Sequence, residues 1–224
     1  MILKLVYPNL CIFCKKVIAS DHICEKCQIY LKTDLICPKC RSIVTEEECS
    51  YCGVIPIQGL FHYNGKAKHI IAKWKYNGNR RYANIFAKEL SYVIDANILK
   101  QINAFIPVPI SKQRRCVRGF NQAYDLSHNL SKITGIKTLD ILERNKNTKS
   151  QFKFSAKERA ENMSGSMNII KKINALLHKD NVNVALIDDI YTTGSTIKEC
   201  TKVLRESLPN IDKIYVFVVC IAKI

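Results

Sequence analysis

Four largely apolar segments that read as strands punctuate the later part of the chain, at residues 104–110, 138–142, 184–188 and 213–221. The runs at 184–187 and 213–221 are nearly continuous, as in strands buried on both faces of a parallel sheet. Between the runs, apolar positions recur at helical spacing. Ile85, Phe86, Leu90, Val93 and Ile94 form one stripe within 82–99. Ile197, Cys200, Val203, Leu204 and Leu208 form another after Thr196, and 122–133 reads as a third helix. Strands alternating with helices predict an α/β domain on a parallel sheet, with its ligand site beyond the strands' carboxyl ends. Upstream, 54–59 reads as a linker or strand, 60–63 as a strand and 68–76 as an amphipathic helix with Ile70, Ile71 and Trp74 inward. Residues 168–170 read as a short strand.

Residues 1–58 have a different logic. Cysteines stand in four Cys-x-x-Cys knuckles: Cys11/Cys14, Cys24/Cys27, Cys37/Cys40 and Cys49/Cys52. Each knuckle can chelate one side of a tetrahedral Zn²⁺, and a second completes a Cys₄ site. The eight thiols therefore fit two structural zinc ions. A segment this short buries too little apolar surface to fold unaided, so metal binding is expected to be coupled to folding. Sequential pairing of the knuckles, a double zinc ribbon, is favoured over cross-bracing because the loops are short. His22 lies between knuckles and is read as a surface histidine, the ligand count being complete without it. The expected division is 1–58 as zinc module and 59–224 as α/β domain.

Charge divides the same way. The formal net charge of +16 splits into +1 for residues 1–58 and +15 for 59–224. A basic field of this size attracts polyanions: nucleic acid, anionic lipid or a pyrophosphorylated sugar. Lys66, Lys68, Lys73, Lys75, Arg80 and Arg81 occur with Trp74 and Tyr76 and no acid between 66 and 81. Cations interleaved with aromatics suit a single-strand nucleic-acid groove, and a solvated amphipathic helix would give the same pattern. Lys112, Arg114, Arg115 and Arg118 form a second basic cluster, read as a loop after the strand at 104–110. Lys149, Lys153 and Arg159 lie in a polar excursion over 145–162 that could contact substrate or DNA, or simply be solvated. Tyr7, Phe13, Tyr30 and Tyr51 could stack on bases, although most aromatics in so small a module serve its core. No run reaches the ~18 apolar residues of a membrane span. The first ten residues lack the long apolar region of a signal peptide. The expected compartment is the cytoplasm.

The most informative stretch is 184–196, Val-Ala-Leu-Ile-Asp-Asp-Ile-Tyr-Thr-Thr-Gly-Ser-Thr. A strand, a turn of small hydroxyl residues (Thr192, Thr193, Gly194, Ser195, Thr196) and a helix start make an anion cradle from unpaired N–H groups. Asp188 and Asp189 beside it can bind sugar hydroxyls or Mg²⁺ through oxygen. This stretch resembles the phosphoribosyl-pyrophosphate (PRPP) motif of type I phosphoribosyltransferases. With Val-Pro, then Arg-Arg-x-x-Arg-Gly-Phe-Asn-Gln at 114–122 and a cysteine-rich head, essentially the whole chain resembles the ComF family of competence-associated, phosphoribosyltransferase-like proteins.

The resemblance implies a type I phosphoribosyltransferase-like α/β domain behind the Cys₄ module. It implies that Asp188 and Asp189 bind ribose hydroxyls as the catalytic pair and that Thr192 to Thr196 hold the 5′-phosphate. Arg114, Arg115, Arg118 and Mg²⁺ would then face the pyrophosphate. The expected role is handling of incoming single-stranded DNA in natural transformation. Phosphoribosyl transfer to an unidentified nucleophile and PRPP-sensing regulation stand as alternatives. Implied partners are PRPP or a related phosphorylated ribose, single-stranded DNA, a DNA-uptake helicase or recombination machinery, and the inner face of the cytoplasmic membrane as a peripheral site. Nothing in the sequence selects an acceptor nucleophile or an oligomeric state.

Overall fold

A computed structural model describes residues 9–19, 22–31, 34–45, 48–145, 165–170 and 180–222. The cysteine-rich head contains the hairpin β1 (Asn9–Leu10) and β2 (Val17–Ile18), the turn of helix α1 (Glu25–Gln28), and the hairpin β3 (Leu35–Ile36) and β4 (Ile43–Val44). Then follow β5 (Ile57–His62), α2 (Gly65–Tyr76), α3 (Arg81–Val93), α4 (Ala96–Gln101), β6 (Ala104–Pro107), α5 (Lys112–Arg118), α6 (Gln122–Thr134) and β7 (Lys137–Thr138). An antiparallel ribbon of β8 (Leu142–Arg144) and β9 (Met167–Ile169) precedes β10 (Val182–Tyr191), α7 (Ser195–Ser207) and β11 (Ile211–Ile221).

Seven strands form one sheet in the order β4-β3-β5-β11-β10-β6-β7. The pairs β5/β11, β11/β10, β10/β6 and β6/β7 are parallel, so their carboxyl ends share one edge. The apolar runs of β10 and β11 are explained by helices on both faces of these two strands. Trp74, Phe86 and Leu126 belong to one apolar cluster, and Ile197, Cys200 and Leu204 to another. Gly59 of β5 sits where no side chain fits, since a Cβ there would lie 2.7 Å from Ile221.

Several elements differ from the sequence expectation. The helix expected over 82–99 is two helices, because Ile94 is extended and Asp95 caps α4 through the Asn97 N–H at 2.6 Å. The strand expected at 138–142 is replaced by β7 and β8, with the chain leaving the sheet between them. The segment read as an arginine loop is helix α5, capped by Ser111 at its start and by left-handed Gly119 (φ 78) at its end. The boundary expected after residue 58 falls inside β5, and β3 pairs with β5 through Ile36 and Ile57, so the second cysteine hairpin extends the main sheet. The first tetrad's surroundings also join the main core: Phe13 meets Phe61 edge-on at 5.2 Å and Tyr30 at 5.2 Å. Tyr51 is exposed, and Tyr7 lies outside the described residues. Among the described residues, no helix is long and apolar enough to cross a membrane.

Trp74 is a correction. Its side chain has no solvent exposure and packs against Phe86, ring centroids 5.1 Å apart, so it cannot stack on a base. Trp74→Ala should destabilise the chain by about 3–5 kcal/mol, the usual range for emptying a large aromatic site. Urea unfolding read by circular dichroism checks this, and a loss under 1 kcal/mol would be inconsistent with a core tryptophan.

Candidate ligand site and metal centres

The shared edge of the parallel strands gathers three turns. β5 leads to α2 through Asn64, whose side chain accepts the Ala67 N–H at 3.2 Å. β6 leads to α5 through buried Ser111, whose hydroxyl accepts the Arg114 N–H at 3.3 Å. β10 leads to α7 through residues 192–194. The turn after β10 is thus flanked by elements that carry basic residues.

Successive side chains on a strand point to opposite faces, and the two aspartates at the end of β10 accordingly have different neighbours. Asp189 faces α2: its Oδ2 lies 2.8 Å from Lys75 Nζ, in a pair with both side chains 13% exposed. Asp188 faces the other side, where Arg114, Arg144 and Cys200 contribute to its electrostatic environment. Its Oδ1 accepts the Asp189 N–H at 2.7 Å. Burial, and then the Asp189 charge, push the Asp188 carboxyl up to about 7, against the opposing effects of that N–H, Lys75 and Arg114.

Gly194 sits in the left-handed region (φ 77) and is the N-cap of α7. A Cβ there would lie 2.5 Å from the Tyr191 hydroxyl, so glycine is required both by conformation and by space. Gly194 has no side chain to cap the N-terminus of α7, and among the described residues no capping side chain replaces it. The first-turn N–H groups of a 13-residue helix are thereby left to an external acceptor. Thr193 Oγ1 and Ser195 Oγ lie 3.0 Å apart within the same turn. Beneath it, the buried Tyr191 hydroxyl has no hydrogen-bond partner among the described residues. Thr192, Thr193, Gly194, Ser195 and Thr196 are brought together as the sequence suggested. The arrangement can hold an anion beside two carboxylates.

The basic residues divide. Arg114 lies on the Asp188 side, whereas Arg115 is exposed. Arg118 donates to Gln122 Oε1 at 3.1 Å and to the Tyr76 hydroxyl at 3.4 Å, with its guanidinium over the Tyr76 ring. Asn121 caps α6 and donates to the Val108 carbonyl at 3.1 Å. Arg80 makes a forked pair with Asp125, 2.6 Å for each bond, and covers Phe120. The Arg-Gly-Phe-Asn-Gln stretch therefore serves as a bracket between α5, α6 and the α2–α3 turn. Lys75 belongs to the acidic pair rather than to an open basic surface. Lys66 donates to the Tyr30 hydroxyl at 2.7 Å, Lys68 lies over Tyr63, Lys73 is half-buried, and Arg81 and Lys112 are exposed. Lys149, Lys153 and Arg159 lie outside the described residues.

Arg144 is a site residue that sequence reading missed. It is buried on β8, and burial, followed by the Arg114 charge, lowers the affinity of its guanidinium for the proton. Its sequence neighbours, Glu143 and Asn145, give no signal that this arginine alone turns inward.

The cysteines group sequentially. Cys11, Cys14, Cys24 and Cys27 form one tetrad; Cys37, Cys40, Cys49 and Cys52 form the other, with all ligand atoms of each within 4.8 Å of one another. Amide N–H groups of Cys24 and Cys40 donate to Cys11 Sγ and Cys37 Sγ, each at 3.4 Å. Burial raises the Cys11 thiol, but amide donors outweigh it and bring it to about 6; the Ser42 hydroxyl and amide bring Cys40 to about 6. Closely grouped sulfurs, some stabilised as thiolates, have the chemistry of a Cys₄ zinc site, and each tetrad could hold one ion. His22 stays outside both tetrads, its carbonyl accepting the Ile12 N–H at 2.9 Å.

The sheet order, the acidic pair and the glycine turn together define an α/β protein with a largely parallel sheet and two cysteine tetrads. The resemblance to the ComF family is shown by its relatives. The chain is 40% identical to Competence protein F of Haemophilus influenzae over 48% of its own length and 46% of the relative's. It is 31% identical to Competence protein ComFC of Streptococcus pneumoniae over 67% of its length and 62% of the relative's. Against Competence protein ComFC of Bacillus subtilis the figures are 27%, 66% and 58%. The match thus spans less than two thirds of each relative. No family model matches the chain. Similar solved structures include a hypoxanthine phosphoribosyltransferase from Staphylococcus aureus, at 19% identity and TM-score 0.35 over 65% of this chain and 69% of that one. An adenine phosphoribosyltransferase gives 14%, 0.36, 68% and 75%.

Two outcomes are expected. Purified protein should carry two zinc ions per chain by elemental analysis, and Cys14→Ser combined with Cys27→Ser should leave about one, since both belong to the first tetrad; cross-braced pairing would place them in different sites and both ions would be lost. In the folded chain Asp188 holds its proton to about pH 7, whereas its unfolded carboxyl titrates near 3.8. The folded state binds more protons across that window, so this group's contribution to stability falls as pH rises from about 4 to about 7 and then levels. Asp188→Asn should therefore raise the denaturation midpoint at pH 8. A lower midpoint there would contradict this account.

Proposed function

We propose that this chain is a competence-associated protein that binds PRPP, or a closely related phosphorylated ribose, at the turn between β10 and α7. The carrying observation is the meeting of an acidic pair with an uncapped helix N-terminus at the carboxyl end of β10. In this reading the amides and hydroxyls of residues 192–196 hold the 5′-phosphate, and Asp188 and Asp189 accept from ribose hydroxyls. Arg114 and Arg144 lie on the Asp188 side, where arginine forks suit pyrophosphate oxygens. Mg²⁺ would neutralise pyrophosphate charge and would be held by the same carboxylates through oxygen. Deprotonation of Asp188 accompanies such binding, so affinity should rise with pH towards and past 7. The competence association is supported by the relatives named Competence protein F and ComFC.

Calorimetry with PRPP and Mg²⁺ tests the site. Wild-type protein should bind, and Asp188→Ala combined with Asp189→Ala should lose at least tenfold in affinity, an order expected for removing charge-assisted hydrogen bonds. Binding that survives this change would place the ligand elsewhere. Pyrophosphate release across a panel of bases, with and without single-stranded DNA, separates turnover from sensing.

A second reading, single-stranded DNA handling, is favoured by the net +15 of residues 59–224 and by the exposure of Arg81, Lys112 and Arg115. Anisotropy titration with a labelled oligonucleotide should show affinity falling steeply with salt, because phosphate contacts release counterions. Salt-independent binding, or none at low salt, would count against it.

A further inference from the structure

The turn after β10 is held from outside by a residue of the second cysteine tetrad. Arg41 directly follows Cys40 and adopts left-handed backbone (φ 66), an uncommon choice for a residue with a Cβ. Its N–H donates to the Cys37 carbonyl at 3.0 Å. Its neighbours are fixed as well: Cys40 Sγ lies 2.9 Å from Ser42 Oγ, and the Cys37 N–H donates to the Ser42 carbonyl at 2.9 Å. From this anchored position the guanidinium spans to the other end of the sequence. Nη1 donates to the Thr192 carbonyl at 3.4 Å and Nη2 to the Thr193 carbonyl at 3.1 Å.

The first tetrad supplies a contrast. Lys15 follows Cys14 with the same left-handed backbone (φ 63) and the same N–H bond to a knuckle carbonyl, that of Cys11, at 3.0 Å. Its ammonium folds back onto the Ile12 carbonyl of its own knuckle, at 3.0 Å. Knuckle geometry alone therefore does not send a side chain to the turn; the arginine in the second knuckle does.

The geometry has a physical consequence for anion binding. In a trans peptide the carbonyl and the N–H point in opposite directions. A turn that directs N–H groups towards an anion must direct carbonyls away from it, and those carbonyls require donors of their own. Arg41 satisfies two of them at once with its fork. On another side Tyr191 closes against Gly194, so the turn is held between that ring and the guanidinium.

We propose that Arg41 is a positioning residue for the phosphate-binding turn, and that the second metal centre is coupled through it to ligand binding at residues 192–196. This inference rests on the PRPP-binding reading for its ligand, but not for its geometry. An intact tetrad fixes the Arg41 backbone and so presets the peptide orientations of the turn. A tetrad opened by metal loss releases the arginine, and the turn with it.

The test uses the full chain with Arg41→Ala, Arg41→Gln and Arg41→Lys. Zinc content is measured first, and Arg41→Gln carries the comparison if Arg41→Ala loses metal. Hydrogen–deuterium exchange of the peptide covering 190–196, without ligand, should speed up in the alanine and glutamine variants. Affinity for PRPP with Mg²⁺ should fall about tenfold, less than the full loss of two charge-assisted hydrogen bonds because Arg41 acts on the turn and not on the ligand. Arg41→Lys should lie between, since an ammonium reaches one carbonyl but lacks the fork. Unchanged exchange at the turn with zinc retained would overturn the proposal. If wild-type protein binds PRPP and Arg41→Ala binds it equally well, the coupling is wrong while the PRPP reading stands. If wild-type protein binds no PRPP yet exchange at the turn speeds up in the variant, the positioning role stands and the PRPP reading falls.

Discussion

The structure around the site follows from placing two carboxylates, Asp189 buried and Asp188 half-buried, at the end of a strand that is covered on both faces. An ionised carboxylate removed from water is costly unless charge and hydrogen bonds compensate it. Because β10 alternates its side chains between faces, Asp188 and Asp189 cannot share one compensating partner. Asp189 takes Lys75 from α2. Asp188 takes the amide of its neighbour and the field of Arg114 and Arg144, and its carboxyl is nonetheless pushed up to about 7. The helices therefore have to bring cations to the carboxyl edge of the sheet from both sides. Segments that read as two separate basic patches are in part the counter-charge of this pair.

That division explains what was legible in the sequence. The runs of β10 and β11 and the stripe of α7 were visible because burial writes itself into consecutive or periodic apolar residues. The cysteine tetrads were visible because chelation fixes ligand spacing. The turn after β10 was visible because glycine and small hydroxyl residues at a strand–helix junction leave few other structures. Trp74, Lys75, Arg80 and Arg118 were harder. Cations and aromatics mixed in sequence look alike whether a ring faces solvent or the core, and whether a charge faces water or an aspartate. Asp125, the partner of Arg80, lies 45 positions away, a distance at which local pattern carries no information. Arg144 had no local signature for the same reason.

The break between α3 and α4 and the helical character of α5 were lost to a different competition. Asp95 offers its side chain to a backbone amide two residues on, which favours a cap over continued helix. Ser111 and Gly119 mark the two ends of α5, but seven residues with four cations among them carry no apolar stripe from which to read a helix. Short capped helices are specified at their ends, and long ones along their faces.

The cysteine head illustrates how far a small cysteine-rich module can be drawn into a neighbouring fold. A hairpin of two-residue strands cannot persist alone. Here β3 and β4 persist because β3 pairs with β5 and so borrows the parallel sheet as its template. The exchange runs both ways: the hairpin gives the sheet a further pair of strands, and its knuckle delivers a guanidinium to the carbonyl side of the turn after β10. The first tetrad is attached differently, through Phe13, Tyr30 and Phe61 in the apolar core and through Lys66 on Tyr30. One tetrad thus supports the core and the other adjoins the turn after β10. Two tetrads with the same ligands and nearly the same local geometry stand in unequal relation to the site, and the difference lies in the residues that follow Cys14 and Cys40.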